Sequence, residues 1–392
     1  MCRHLRGLYA RKHKKSGVMV TSLSLISNSK RLFSTTGHVG DMDCLHGLRY
    51  ISICWVVIGH RYIHNMIYPS YNSIQLIYWV QEYFSTMVMG GTVSVDTFFI
   101  ISSILLSYNF FQHVEKRNKI NIFHMYLYRY VRITPPLIIV AAGYATVAKH
   151  LGSGPKWCIV PTWYVTDDML FFYFSPIVLI PLWKSPIYGK LNWLLVYMLS
   201  IFISFWVAWV KEYDGGMPIT PRVMDLEYFH KHYIAPHTRA SPYILGLLFG
   251  YSLHKTRSHP VRIGPVVAFV GWTFATFCVT SVVLIAHMFH LEDYVYNKMF
   301  SSLFLSCSRS VWTIGLMWII FACVNNCGGV VNFILSLPMF RVLGRLTYSI
   351  SLIHFGFQSV MMAAAKSPSY FSNFVVVNDE EKQKANRINV KP

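Results

Sequence analysis

The sequence predicts an all-α bundle that crosses a membrane about nine to ten times, and three observations carry that prediction. Only 13% of the 392 residues are charged, while 54% are hydrophobic; soluble domains carry about a quarter charged residues. Apolar runs near the roughly 20 residues that a spanning helix needs recur along the chain. Basic residues cluster between these runs, as in cytoplasmic loops that face anionic headgroups. The mean hydropathy of +0.40 agrees.

The net charge of +19, from 35 Lys and Arg against 16 Asp and Glu, would suit nucleic acid if it formed one patch. Its distribution between apolar runs excludes that class and leaves membrane lipids as the expected partner. The eight cysteines form no CxxC pair and no zinc spacing, so they read as small buried hydrophobes and define no redox compartment.

Residues 1–43 carry Arg3, Arg6, Arg11, Lys12, Lys14, Lys15, Lys30 and Arg31, with no acid before Asp41. This Arg- and Ser-rich composition fits a mitochondrial presequence or a disordered basic arm in the cytosol, and the positive-inside bias favours the arm. Spanning segments follow at 47–66, 91–111, 133–149, 166–183, 191–210, 241–254, 263–288, 300–324 and 342–364. The aromatic stretch 74–89 is broken by Gln81 and Glu82 and reads as interfacial, while Gly246 and Gly250 suit 241–254 to close helix packing. Loop 112–132 holds Lys116, Arg117, Lys119, Arg129 and Arg132, and loop 255–262 holds Lys255, Arg257 and Arg262; both fall on the side of the basic arm. In 211–240 the basic residues are offset by Glu212, Asp214, Asp225 and Glu227. The expectation is a multi-pass protein of the endoplasmic reticulum or plasma membrane with a cytosolic N-terminus. The membrane domain spans 44–372, and the tail 373–392 is too charged to cross. No internal repeat is visible, so the inverted-repeat signature of many transporters is missing.

Ionisable residues at membrane depth are costly, so Arg49 and His60 in the first span call for a reason. Eleven positions separate them, three helical turns plus about 20°, which puts both on one face roughly 16 Å apart. Arg49 can anchor an anionic group, and a neutral His60 can take a proton from a hydroxyl. A snorkelling arginine and an interhelical histidine bond explain the spacing equally well. His64 makes an HxxxH pair with His60, and His124 is a further candidate, but no second histidine cluster appears and no metal is expected. Asp96 in GGTVSVDTFFIISS could orient a histidine, contact substrate or cap its helix. Ser102 and Ser103 can bond across helices, Ser103 being the more clearly structural. Arg129 and Arg132, neighbours on a helix face, precede Pro135–Pro136, which favour a helix start. With Arg49 they can form a basic pocket for a phosphorylated donor. Asp167 and Asp168 sit at a span's outer end, where capping is the plain alternative.

In this order the pieces resemble the acyltransferase-3 family, in its animal branch of nose-resistant-to-fluoxetine type proteins, over about Cys44 to Ser372. The family's Arg-x10-His motif matches Arg49 and His60, VDTFF-x-x-SG matches VDTFFIISS with Ser103 for glycine, and R-x-x-R-x-x-P matches Arg129, Arg132 and Pro135. TWYVTDDM, with Trp163, Tyr164 and Asp168, matches a Trp-Tyr-x-x-x-Asp-Met element, with Leu170 for the usual glutamine. HTRASPYILGLLFGY, the block containing Arg309 and LGRLTYSISLIH with Tyr348 resemble three later blocks. The resemblance implies transfer of an acyl group from a cytosolic donor, expected to be acyl-CoA, to a hydroxyl-bearing small molecule or lipid. His60 would be the base, with Arg49 and Asp96 beside it. Arg129, Arg132 and Ser102 would bind the donor, and Trp163, Tyr164, Asp168, Arg309 and Tyr348 would support the site. No permanently bound cofactor is implied, and a homo-oligomer is compatible with the pattern. A transporter of lipids or hydrophobic compounds, or an inactive relative, is the competing expectation. Set against the animal pattern, the expectation is a shortened chain, with a basic arm in place of the luminal domain, a deletion between Trp157 and Cys158 and no last helix.

Overall fold

The structure, a computed structural model, describes residues 25–37, 42–68, 70–146, 162–217, 225–258, 263–363 and 369–372. Among these residues it is helical, with no strand beyond an isolated bridge between Ser70 and Ser369. Nine long helices correspond to the nine expected segments: α1 Cys44–Ile67, α2 Ser94–Arg117, α3 Ile122–Thr146, α4 Trp163–Lys184, α5 Pro186–Lys211, α6 Pro236–Ser258, α7 Pro265–Met288, α8 Lys298–Val324 and α9 Pro338–Ala363. The short helix Tyr83–Met89 runs on into α2 through a 3-10 turn. The tail at 373–392, the supposed deletion at 157–158 and residues 1–24 lie outside the described residues.

Five of these segments are long and apolar enough to cross a membrane, or six if the short helix Gly329–Leu335 and α9, bent by 59° at their junction, count as one. The protein is a multi-pass membrane protein, and five or six of the nine to ten expected crossings are supported by length and composition among the described residues. Of the other three long helices, α1 and α6 bury polar residues inside the bundle, among them Ser52, His64, Asn65, Arg239 and Ser241. There neighbouring side chains take the place of water, so they need not be apolar all round. By contrast α5 and α7 are the most apolar of the spanning helices and expose Leu195, Phe202, Phe269 and Phe277 outward, as lipid-facing helices do.

Small residues set the central packing. A side chain at Gly246 of α6 would run into Ser103 and the Ile100 carbonyl of α2, and one at Gly250 into the Ile104 carbonyl and Ser107. The backbones therefore approach closely, and the Ser107 hydroxyl donates to the Leu247 carbonyl at 2.6 Å. Ser103 satisfies itself on the Ile100 carbonyl at 2.9 Å, as a structural residue would. Around this pair the core gathers Ile100, Ile101, Ile104, Leu253, Trp312 and Leu316.

Two expectations about α3 change. Pro135 and Pro136 lie inside the helix, not at its start. Each lacks the N–H that would reach the carbonyl four residues back, so Val131 and Arg132 lose their helical donors while the helix continues. No residue of α3 is fully buried; it stands at the edge of the bundle, tied by Tyr348 donating to the Ile133 carbonyl at 3.0 Å and by Tyr126 donating to the Tyr173 carbonyl at 2.8 Å.

Part of the basic arm is folded. Leu25–Leu32 is helical, and Arg345 donates to the carbonyls of Arg31, Leu32 and Ser34 at 2.7–2.9 Å. Arg341 grips the Asp43 carboxylate with two donors, at 2.9 and 2.5 Å, and also reaches the Thr35 carbonyl. Residues 31–35 are thereby clasped to α9, where the composition suggested disorder.

Candidate functional site

A cavity of about 1160 Å³ opens between α1, α2, α3, α4 and α9. Arg49, His60, Ser102, Arg129, Arg132, Trp163, Tyr164, Asp168 and Tyr348 all line it. Nine of the eleven residues singled out from the sequence thus meet in one place. The eleven-residue spacing explains the first pair: α1 is unbroken from Cys44 to Ile67, so Arg49 and His60 share its inner face, His60 roughly 16 Å deeper. Arg132 and Arg345 are exposed at the opening, as are Asn109 and Asn121. Between this polar opening and His60 the walls are largely apolar, with Ile53, Val56, Val95, Phe98, Leu105 and Leu106.

The arginines differ in what holds them. Arg129 forms an ion pair with Asp168, donates to Ser102 at 3.0 Å and lies over the Phe172 ring at 4.3 Å. Asp168 is therefore a buried partner in the second turn of α4 rather than a cap; the N-cap position is Thr162, without a side-chain capping bond. Arg49 and Arg132 have no carboxylate partner among the described residues. A cavity whose wall carries unneutralised guanidinium groups attracts anions, and planar guanidinium suits phosphate or carboxylate.

His60 sits at the far end. Its Nδ1 is 2.8 Å from Nε2 of His354 on α9, and the edge of Phe355 packs against its ring at 5.3 Å. His64, one turn beyond His60, is buried. It is 1% exposed, donates from Nδ1 to the His60 carbonyl at 2.7 Å, and has Ser359 at 2.9 Å from Nε2. It does not line the cavity. Gln358, donating to the Val57 carbonyl at 3.0 Å, completes a polar seam that fixes α9 on α1.

Asp96 and Arg309 lie apart from this cavity. Asp96, the third residue of α2, accepts from Arg239 at 3.0 Å and has Arg309 at 4.0 Å. Arg239 also donates to the Tyr233 carbonyl and stacks over Tyr233 and Trp163 at 4.6 and 5.0 Å; Arg309 donates to the Thr238 carbonyl at 2.9 Å. Asp96 pairs with guanidinium groups, and the side chain bonded to His60 is His354. Sequence reasoning missed His354 and Arg239. Each stands within a stretch that resembled a family block, LGRLTYSISLIH and HTRASPYILGLLFGY, but Arg239 fell in the expected loop 211–240, where a basic residue raises no question.

Away from the opening, the 211–240 region neutralises its own lysines. Glu227 bonds Lys231 and Lys211, both at 2.9 Å, and Glu212 bonds Lys298 at 2.7 Å. Hydrogen bonds from Lys231 and Lys211 hold the Glu227 carboxyl down to about 2.

A family described as "Acyltransferase domain" matches residues 42–377. Over 414 residues the chain is 23% identical to "Nose resistant to fluoxetine protein 6" of Caenorhabditis elegans, covering 91% of this chain and 50% of that protein. It is also 23% identical over 273 residues to "Regulator of hypoxia-inducible factor 1" of the same organism, covering 58% of this chain and 54% of that protein. The chain thus spans about half the length of these curated relatives. No solved structure matches it.

Proposed function

The chain belongs to the acyltransferase-3 family, and from that premise we propose that it moves an acyl group from an acyl-CoA type donor to a hydroxyl acceptor, with His60 as general base. Family membership supports a membrane acyltransferase in general; the donor and the base are our reading. The observation that carries it is the layout of one cavity: free guanidinium groups toward the opening, apolar walls behind them, and a histidine at depth on the helix that carries Arg49. A coenzyme A thioester has matching parts, with phosphates at one end of a long arm and the reactive carbonyl at the other. Arg49 and Arg132 take the phosphates. Arg129, already held by Asp168 and Ser102, lines the route between them and His60, and Tyr348, anchored on the Ile133 carbonyl, does the same from α9.

In the chemical step His60 accepts the acceptor's hydroxyl proton as its oxygen attacks the thioester carbonyl. The tetrahedral intermediate collapses with loss of the C–S bond, and the departing thiolate takes the proton from His60. The positive-inside bias of the basic loops supports a cavity opening on the cytosolic side together with the N-terminus, where a coenzyme A thioester is supplied.

The test is donor binding. Losing one charge-assisted contact to a phosphate is worth about 1.5–3 kcal/mol, so Arg49→Ala and Arg132→Ala are each expected to weaken acyl-CoA binding by roughly 10–100-fold. Titration calorimetry on the detergent-solubilised protein reads this directly. Unchanged affinity in both variants would remove the donor site from this cavity.

A further inference from the structure

We propose that His354 is a positioning residue that fixes the tautomer of His60, so that Nε2 of His60 is the nitrogen that accepts the substrate proton. The inference rests on His60 being the base, and it follows from hydrogen-bond bookkeeping along α9 and α1. Nδ1 of His354 lies 2.9 Å from the Ile350 carbonyl, four residues back on the same helix. A carbonyl only accepts, so that nitrogen carries the proton. A neutral imidazole has one N–H, which leaves Nε2 of His354 as a lone pair. This lone pair faces Nδ1 of His60 at 2.8 Å. Two lone pairs at that distance repel, so Nδ1 of His60 must be the donor, and its own lone pair is displaced to Nε2.

The surroundings hold this arrangement. His354 is buried on a backbone tied to α1 by Gln358 and, through Ser359, by His64. His64 in turn donates to the backbone carbonyl of His60 itself. Phe355 closes the side of the His60 ring. No hydrogen bond to Nε2 of His60 is present among the described residues, and the ring lines the cavity, so the basic nitrogen is left to a ligand. The partner is a neutral imidazole where hydrolytic triads place a carboxylate. It supplies orientation and an acceptor for the Nδ1–H of the imidazolium without adding a buried negative charge that would repel a phosphorylated donor.

The experiment labels all histidine ring nitrogens with ¹⁵N and records solid-state NMR spectra of the protein in bilayers. The His60 signals are identified by their loss in His60→Ala. In the parent chain His60 is expected as the Nδ1–H form. In His354→Phe, which keeps a ring but offers no acceptor, that preference should disappear. In His354→Gln, whose amide oxygen can accept from Nδ1, it should be retained. In transfer assays kcat should fall about 10²-fold in His354→Phe, with donor KM unchanged, and recover at least partly in His354→Gln. An Nε2–H form in the parent, or an unchanged tautomer in His354→Phe, overturns the proposal. If His354→Phe does not accumulate, an Nε2–H form in His354→Gln overturns it equally. Because the tautomer is read without turnover, a correct tautomer together with full activity in His60→Ala would reject the base and leave the positioning intact.

Discussion

Replacing His60 by alanine is expected to lower acyl transfer by about 10²–10⁴-fold, the contribution of a general base, while the protein inserts and folds at parental levels. The second half follows from the environment: His60 borders an open cavity, so its removal leaves His354 facing space that water can enter. His64→Ala is expected to behave in the opposite way. Its ring is buried between the His60 carbonyl and Ser359, and deleting it strands polar groups away from water, at about 1–3 kcal/mol. Less folded protein should result, with the turnover of the folded fraction near normal. The measurement is transfer of a labelled acyl chain per mole of folded protein, quantified by size exclusion, for both variants. Parental turnover in His60→Ala would move the reading to a transporter of hydrophobic compounds, in which the histidine merely lines a path.

The largest stability effect is expected at Asp96. Asp96 and Arg239 are each 1% exposed and Arg309 is 7% exposed, so the three charges depend on one another. Breaking a buried ion pair from one side leaves an uncompensated charge and typically costs about 3–5 kcal/mol, a large part of the 5–15 kcal/mol that holds a domain together. Asp96→Ala leaves two guanidinium groups without their carboxylate and should unfold at markedly lower temperature in detergent. Substituting all three together, as Asp96→Leu with Arg239→Met and Arg309→Met, should recover much of the loss, since an apolar replacement of similar volume is often tolerated. If Asp96→Ala melts normally yet has lost turnover, Asp96 belongs to the chemistry after all.

The candidate site was legible in the sequence where one helix carries the information. Arg49 with His60, and Arg129 with Arg132, are set by helical periodicity, and periodicity survives folding. Contacts between distant segments left no such trace. The bond from His60 to His354 joins residues 294 apart, and nothing local at LGRLTYSISLIH says which helix will lie opposite. Asp96 was open to several roles because an acid near a helix start can cap, orient or pair, and only the arrival of Arg239 from α6 decides. The surroundings of His64 were hidden for the same reason, since counting turns gives its depth but not the Ser359 that covers it. The prolines of α3 misled because the rule that they start helices assumes an unbroken ladder of backbone bonds. The helices were legible as apolar lengths, while α1 and α6, which bury polar residues, are less apolar and fall short of a spanning composition.

That α3 buries none of its residues fully has an energetic consequence for the ligand. Opening free energies within one protein range from near zero to the global value, and segments with few buried contacts lie at the low end. The helix that presents Arg129 and Arg132 is therefore the most readily released wall of the cavity. A donor bound as proposed, bridging it to Arg49 on the well-packed α1, would restrict that helix, so part of each electrostatic contact would be offset by lost conformational entropy. Affinity in this protein is then set as much by how freely α3 moves in the empty state as by the charges that line it.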